Sequence, residues 1–171
     1  MAPREPPTGG SGQTMLIREF DPVTDYLGVR ECFIELQNVE RSFDERMPEG
    51  SSVVDEYLKL LFERCQLYKG QIFVADIDGQ VAGYVSVWGR TRSDEPDDGP
   101  AEFAYISDFC VLPEYRRFGI ARRLLDRAED YARSHGAECL RLGVKGGNLR
   151  AYAFYAHAGF TEVWSQLEKK L

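Results

Sequence analysis

A chain of 171 residues fits one domain and is long enough to build a core without disulfides or metals. Hydrophobic residues make up 43% and charged residues 29%, an ordinary globular balance. The formal net charge of −7 argues against general binding to nucleic acid or anionic membrane, and no apolar run approaches the ~20 residues of a membrane span. The opening MAPREPPTGGSGQT lacks the apolar stretch of a secretory signal. A disordered lead-in over residues 1–14 and a single cytoplasmic domain over 15–171 are therefore expected.

Cys32, Cys65, Cys110 and Cys139 are widely spaced with no C-x-x-C, and the only histidines are His135 and His157. This pattern supports neither a zinc cluster, a disulfide scaffold nor a Ser-His-Asp triad. All four thiols are expected to be buried, and no metal is expected.

In chain order, residues 15–20 read as a strand. Asp21 and Pro22 predict a helix start, with Val23, Leu27, Phe33 and Leu36 at helical spacing up to Asn38. A polar loop, ERSFDERMPEGSS, leads to a second helix capped by Ser51 or Ser52. Its apolar face carries Val54, Leu58, Leu61, Phe62 and Cys65, and Gly70 stops it. QIFVADI and QVAGYVSVW flank Asp78-Gly79, a strong hairpin signal. RTRSDEPDDGP reads as an exposed acidic loop, and a strand follows from Glu102 to Val111, ended by Pro113. The next helix puts Ile120, Leu124, Leu125, Ala128 and Ala132 on one face and stops at Gly136. ECLRLGV is a strand, so residues 102–145 form a strand–helix–strand crossover. NLRAYAFYAHAG is a short helix ending at Gly159, and FTEVWSQLEKKL reads as a last strand. The predicted order is β-α-α-β-β-β-α-β-α-β, a mixed α/β sheet with helices on its faces.

The stretch VLPEYRRFGIARRLL is the most informative. A strand ends, a turn carries Arg116, Gly119 and Ala121, and an amphipathic helix opens at once. Unpaired N–H groups and the positive dipole end make such a helix start an anion site, and small residues let a ligand approach the main chain. Residues 116–127 hold five arginines and one acid, whereas residues 19–63 hold 12 acids and four bases. The same arginines also suit a solvated helix face with i,i+4 pairs such as Arg122 with Asp126. Neither G-K-[ST] nor G-x-G-x-x-G is present.

Arg116-Arg117-Phe118-Gly119-Ile120-Ala121 resembles the [QR]-x-x-G-x-[GA] signature of the GCN5-related N-acetyltransferase family. A second pattern of that family appears as Asn148, Ala151, Phe154, Tyr155, Gly159 and Phe160. The resemblance covers residues 15–171 and implies a twisted mixed sheet of about six to seven strands flanked by about four helices. It further implies acetyl transfer from acetyl-coenzyme A to a primary amine by direct attack in a ternary complex.

By the same resemblance, main-chain amides of Arg116, Arg117, Phe118, Gly119, Ile120, Ala121 and Arg122 wrap the pyrophosphate. The pantetheine arm pairs with backbone near Phe109 and Val111, and Arg122 or Arg123 meets the outer phosphate. Asn148 bonds the pantetheine chain, and the Tyr155 hydroxyl protonates the departing thiolate. A lysine-type amine, of pKa ~10.4, must first lose a proton, and the leaving thiol, of pKa ~8.5, must regain one.

Asp108, a carboxylate within the strand YISDFCV, is either the proton acceptor or a cap for a neighbouring backbone group; Glu35, Glu40 and Glu102 are reserves. Plain alternation puts Tyr105 and Ser107 on the face opposite Asp108, and a β-bulge would change that parity. Glu35, Glu40, Asp44, Glu45, Asp94, Glu95, Asp97 and Asp98 form an acidic rim. Such a rim suits a cationic acceptor of aminoglycoside or polyamine type, and equally suits plain solubility. A peptide lysine or N-terminal amine as acceptor, or an idle acyl-coenzyme A sensor, are the alternatives. No nucleic-acid or membrane partner is expected, and a homodimer is compatible with these readings.

Overall fold

The computed structural model describes residues 14–92 and 102–169; the expected lead-in up to residue 13 and the acidic loop at 94–99 lie outside them. The order is β1 (Met15–Glu19), α1 (Tyr26–Arg41), α2 (Gly50–Leu67), β2 (Gly70–Ile77), β3 (Gln80–Arg92), β4 (Glu102–Val111), a 3-10 turn (Pro113–Tyr115), α3 (Ile120–Ser134), β5 (Cys139–Leu142) and α4 (Leu149–His157). The five strands lie side by side in chain order. All neighbours are antiparallel except β4 and β5, which run parallel across the α3 crossover.

Local chemistry explains most of this. Asp78 and Gly79 both take positive φ, 52° and 83°, as the tight β2–β3 turn requires. The α3 face buries Ile120, Leu124, Leu125, Ala128 and Ala132, as their spacing predicts. Phe73 meets Tyr131 of α3 at 5.6 Å between ring centroids, while Asp108, opposite Ser86, reaches Tyr57 of α2. Phe73 is paired with Val85, next to Ser86, so α3 and α2 cover opposite faces of the sheet. Phe33 of α1 stacks on Tyr57, which places α1 beside α2.

Several boundaries differ from the sequence reading. α1 starts after Asp25, not Asp21, because Asp21 accepts the Val23 N–H in a turn of its own while Asp25 is held by Arg18 and the Asp21 N–H. α2 starts at Gly50 because Asn38 Oδ1 of α1 accepts the Gly50 N–H, so neither Ser51 nor Ser52 is the cap. That helix ends ahead of Lys69, which takes a positive φ of 49°, and Gly70 already opens β2. Cys32 and Cys110 are buried as expected, whereas Cys65 is half-buried and Cys139, on the edge strand, is exposed.

The expected last strand is absent among the described residues. The segment 160–169 is irregular and leaves Val163, Trp164 and Leu167 81%, 73% and 93% exposed. Alternation gives a strand only where an edge is there to pair with it, and this segment pairs with none. The described sheet therefore has five strands, not six or seven. No helix among the described residues is long and apolar enough to cross a membrane.

One ion cluster ties β1, β2 and the start of α1. Arg18 donates to Asp25 Oδ1 at 2.8 Å and to Asp76 Oδ2 at 2.7 Å, and Asp25 is 2% exposed. Burial pushes the Asp25 carboxyl up, but hydrogen bonds from Arg18, the Asp21 N–H and Thr24 outweigh it and hold the group below its ordinary value. Its stabilisation is thus full above the ordinary Asp pKa and drains away as acid titrates the carboxylate. Arg18→Met strands two carboxylates and should cost about 3 kcal/mol in urea denaturation at neutral pH, with a smaller loss in acid.

Candidate active site

The site begins with an irregularity in β4. Its register runs Ser86↔Asp108 and then Val87↔Ile106, so Ser107 is an extra residue in a bulge. Across this bulge the parity changes. Asp108 lies on the face of Ser86, and Tyr105, paired with Trp88, shares that face, contrary to plain alternation. The parallel partner stops at the same place. β5 pairs with Phe103 to Ile106 only, so beyond the bulged Ser107, from Asp108 to Val111, β4 is paired with β3 alone.

A cleft opens where the two strands part, lined among others by Glu40, Ser107, Asp108, Phe109, Asn148 and Tyr155. Asp108 is 3% exposed and accepts from Ser107 Oγ at 2.7 Å, Tyr57 Oη at 2.9 Å and Tyr84 Oη at 3.3 Å. Burial pushes its carboxyl above the ordinary range, and those three hydroxyls pull it partly back. These partners are side-chain hydroxyls, not a neighbouring backbone group. Tyr155 is set by aromatic edges, with Phe109 at 6.0 Å and Phe160 at 5.6 Å. Burial, then the charge of Glu40, pushes the Tyr155 phenol above its ordinary value. Asn148 caps α4 by accepting the Ala151 N–H at 3.1 Å, and its NH2 group meets no protein acceptor among the described residues.

At the end of β4 the chain passes through the 3-10 turn to the start of α3. Arg117 and Gly119 take positive φ, 72° and 77°, and a Cβ at Gly119 would meet nothing within 4 Å. Among the described residues the amides of Arg117 to Arg122 meet no protein acceptor, since the first bond of α3 is Arg123 N–H to Gly119 O at 3.2 Å. Alternating left-handed residues ahead of a helix give a concave row of N–H donors suited to an anion. Arg116 differs. Its guanidinium donates to Val111 O and to Glu35 Oε1, each at 2.9 Å. Arg122 pairs with Asp126 at 2.8 Å, and Arg127 lies 4.2 Å over Phe73. Arg117 and Arg123 have no such partner among the described residues.

The structure thus gathers Asp108, Phe109, Asn148 and Tyr155 in one cleft. Phe118, Gly119, Ile120 and Ala121 sit on the amide loop, and Ile120 is buried as its anchor. Val111 is buried outside the cleft lining. Of the reserve carboxylates, Glu35 is engaged by Arg116 and Glu102 by Arg90, while Glu40 faces the cleft. Sequence reasoning missed Tyr57, Tyr84 and Lys145. Tyr57 lies three residues after Val54 on the helix face already identified, so its inward direction was readable; Lys145 gives no such signal.

Comparison with known proteins gives the family. The model of the Acetyltransferase (GNAT) family matches residues 36–160. The chain belongs to that family. An uncharacterized N-acetyltransferase of Archaeoglobus fulgidus is 33% identical over 110 residues, 60% of this chain and 66% of the relative. The chain spans just under two thirds of the curated relatives matched first. Among solved structures, a point mutant of the BH1408 protein from Bacillus halodurans has a TM-score of 0.75 at 25% identity, covering 91% of this chain and 99% of that one. Aminoglycoside N-acetyltransferase AAC(6')-Iy in complex with CoA shares the fold at TM-score 0.69 and 18% identity, covering 100% and 99%.

The hydroxyl collar of Asp108 has a measurable consequence. A carboxyl whose folded pKa is raised stabilises the fold least once pH exceeds that value, and each hydroxyl offsets part of the cost. Tyr57→Phe should therefore cost about 1.5–3 kcal/mol at neutral pH, as for a hydrogen bond to a charged group, and less below the ordinary Asp pKa. Chemical denaturation at the two pH values checks this.

Proposed function

We propose that the protein transfers the acetyl group of acetyl-coenzyme A to the primary amine of a small cationic acceptor by direct attack. The observation that carries the reading is the parting of β4 and β5, which brings Tyr155, Asn148 and Asp108 to one cleft beside a loop of unpaired amides. The residues present fit the cosubstrate. The loop of residues 117–122 offers N–H donors for a pyrophosphate, with Arg117 and Arg123 free for further phosphate charge. Apart from the Val111 carbonyl held by Arg116, the strand-free edge of Ser107 to Val111 offers main-chain groups to an extended amide-bearing arm, and Asn148 lines the same cleft. The bound thioester supplies the acetyl group and a thiolate leaving group.

The remaining duties fall to this chain. A cationic amine is drawn into a cleft holding Asp108 and Glu40, and it must lose a proton to these carboxylates before it can attack. A main-chain N–H of β4 meets the charge that develops on the carbonyl oxygen. Tyr155 remains protonated at neutral pH, since burial raises its pKa, and so holds the proton the thiolate needs. The 12 acids against four bases of residues 19–63 favour a cationic acceptor, though Asp44 is already paired with Arg46 and Lys145.

Thiol release from acetyl-coenzyme A with spermidine, kanamycin, glucosamine 6-phosphate and a peptide bearing a free N-terminus tests the proposal. Turnover with spermidine or kanamycin is the expected result. Thermal stabilisation by the coenzyme without turnover on any amine would instead mark an acyl-coenzyme A sensor. Tyr155→Phe should lower turnover by ~10²–10⁴ with coenzyme affinity kept. Gly119→Glu places a carboxylate against the phosphate cradle in a left-handed position, and titration calorimetry should then detect no coenzyme binding.

A further inference from the structure

Two carboxylates face the cleft, and their surroundings assign them different work. Asp108 is sealed at 3% exposure, and both of its oxygens already accept hydroxyl protons from Ser107, Tyr57 and Tyr84. Glu40, in the last turns of α1, is half-buried, lines the same cleft and has no hydrogen-bond partner among the described residues. A proton acceptor needs an open lone pair within reach of the substrate: the three hydroxyls leave Asp108 at most one, on an oxygen of a sealed side chain, whereas Glu40 keeps all of its own on a half-buried one.

We infer that Glu40 takes the proton directly from the acceptor ammonium, while Asp108 is the positioning charge behind it. This rests on the acetyl-transfer reading above. In the step, an N–H bond of the ammonium breaks and Glu40 becomes a neutral carboxylic acid. The freed lone pair forms the C–N bond, the C–S bond breaks, and the thiolate receives the Tyr155 proton. The second nitrogen proton balances the one Tyr155 gave, and Glu40 returns its proton to solvent.

The charges around Glu40 suit this use. Burial pushes its carboxyl above the ordinary range; the Asp108 charge on β4 adds to this, and Lys145, between β5 and α4, pulls it back. Tyr57 on α2, Tyr105 on β4 and Tyr155 on α4 are the other titratable groups that feel the Glu40 charge, and each stays a neutral phenol at neutral pH. Glu40 is therefore the more open of the two carboxylates facing the cleft and the one that no protein hydroxyl holds among the described residues. A base with a raised pKa matches its affinity more closely to the proton it must accept than an ordinary carboxylate would.

The test is the pH dependence of kcat for the full chain, using the amine of the panel above that the wild-type protein turns over fastest. If no amine releases thiol, the acetyl-transfer reading itself fails, a different failure from this one. For the wild type, kcat should rise with pH through a single acidic limb as Glu40 ionises. Glu40→Gln should lower kcat by ~10² or more at neutral pH. Its rate should then climb tenfold per pH unit towards the ammonium pKa of ~10.4, with coenzyme A affinity kept. Glu40→Asp should keep the acidic limb at reduced kcat. Asp108→Asn should keep it with its midpoint moved down, because a charge that raises Glu40 has gone. A wild-type limb in Glu40→Gln, or loss of the limb in Asp108→Asn, would overturn the assignment.

Discussion

The candidate site depends on β5 ceasing to pair with β4 at the bulged residue Ser107. A parallel pair satisfies its main-chain groups only while both strands run on, and here the partner ends at Leu142. Five residues of β4 are then left without a strand on that edge, with Val111 O taken by the Arg116 side chain. Main-chain polar groups in that position need a partner, and a ligand with an amide-bearing arm is a partner of the right kind. The bulge does a second thing at the same point. By shifting parity it turns Asp108 towards Tyr57 and Tyr84, so the cleft gains its buried charge where it loses its strand.

The electrostatics divide along the same line. A chain of net charge −7 gathers five arginines within residues 116–127 and keeps two carboxylates in the cleft lining. The basic run and the two carboxylates thus stand apart, the one at the start of α3 and the other in the cleft between β4 and α4. Three of the five arginines are occupied by the protein itself, through Glu35, Asp126 and Phe73. Much of the basic run is thus a scaffold, and the bare amides of the loop are what an anion would meet first.

How much of this was legible depends on whether a feature is local. The Asp78-Gly79 turn and the α3 face each follow from a few neighbouring residues, and each stands where the spacing put it. The parting of β4 from β5 leaves no mark in composition or period, because it depends on where a distant strand stops. The cap of α2 was misplaced for the same reason: the group that fixes Gly50 is Asn38, twelve residues away on another helix. The tail after Gly159 failed in the opposite direction. FTEVWSQLEKKL has strand-like alternation, but alternation describes a surface and cannot provide the edge that would use it. Asp108 stood out in the sequence as a charge in a buried run, whereas its three hydroxyl partners come from β4, β3 and α2 and have no common spacing.

Arg116 shows how the two halves of the site are kept in step. The sequence motif gives this residue to the anion loop, yet its side chain turns back, with Nε on Val111 O and a second nitrogen on Glu35 of α1. Both bonds are partly buried, and a guanidinium can hold two acceptors in fixed directions where an ammonium could not. The strut therefore joins the end of β4 to α1, the helix that carries Glu40 five residues beyond Glu35. It also leaves the next residues, Arg117 to Gly119, to take the left-handed turns that expose their N–H groups. A movement of the loop ahead of α3 would be felt on α1 through one side chain, so the row of bare amides and the helix that carries Glu40 are tied by the same contact.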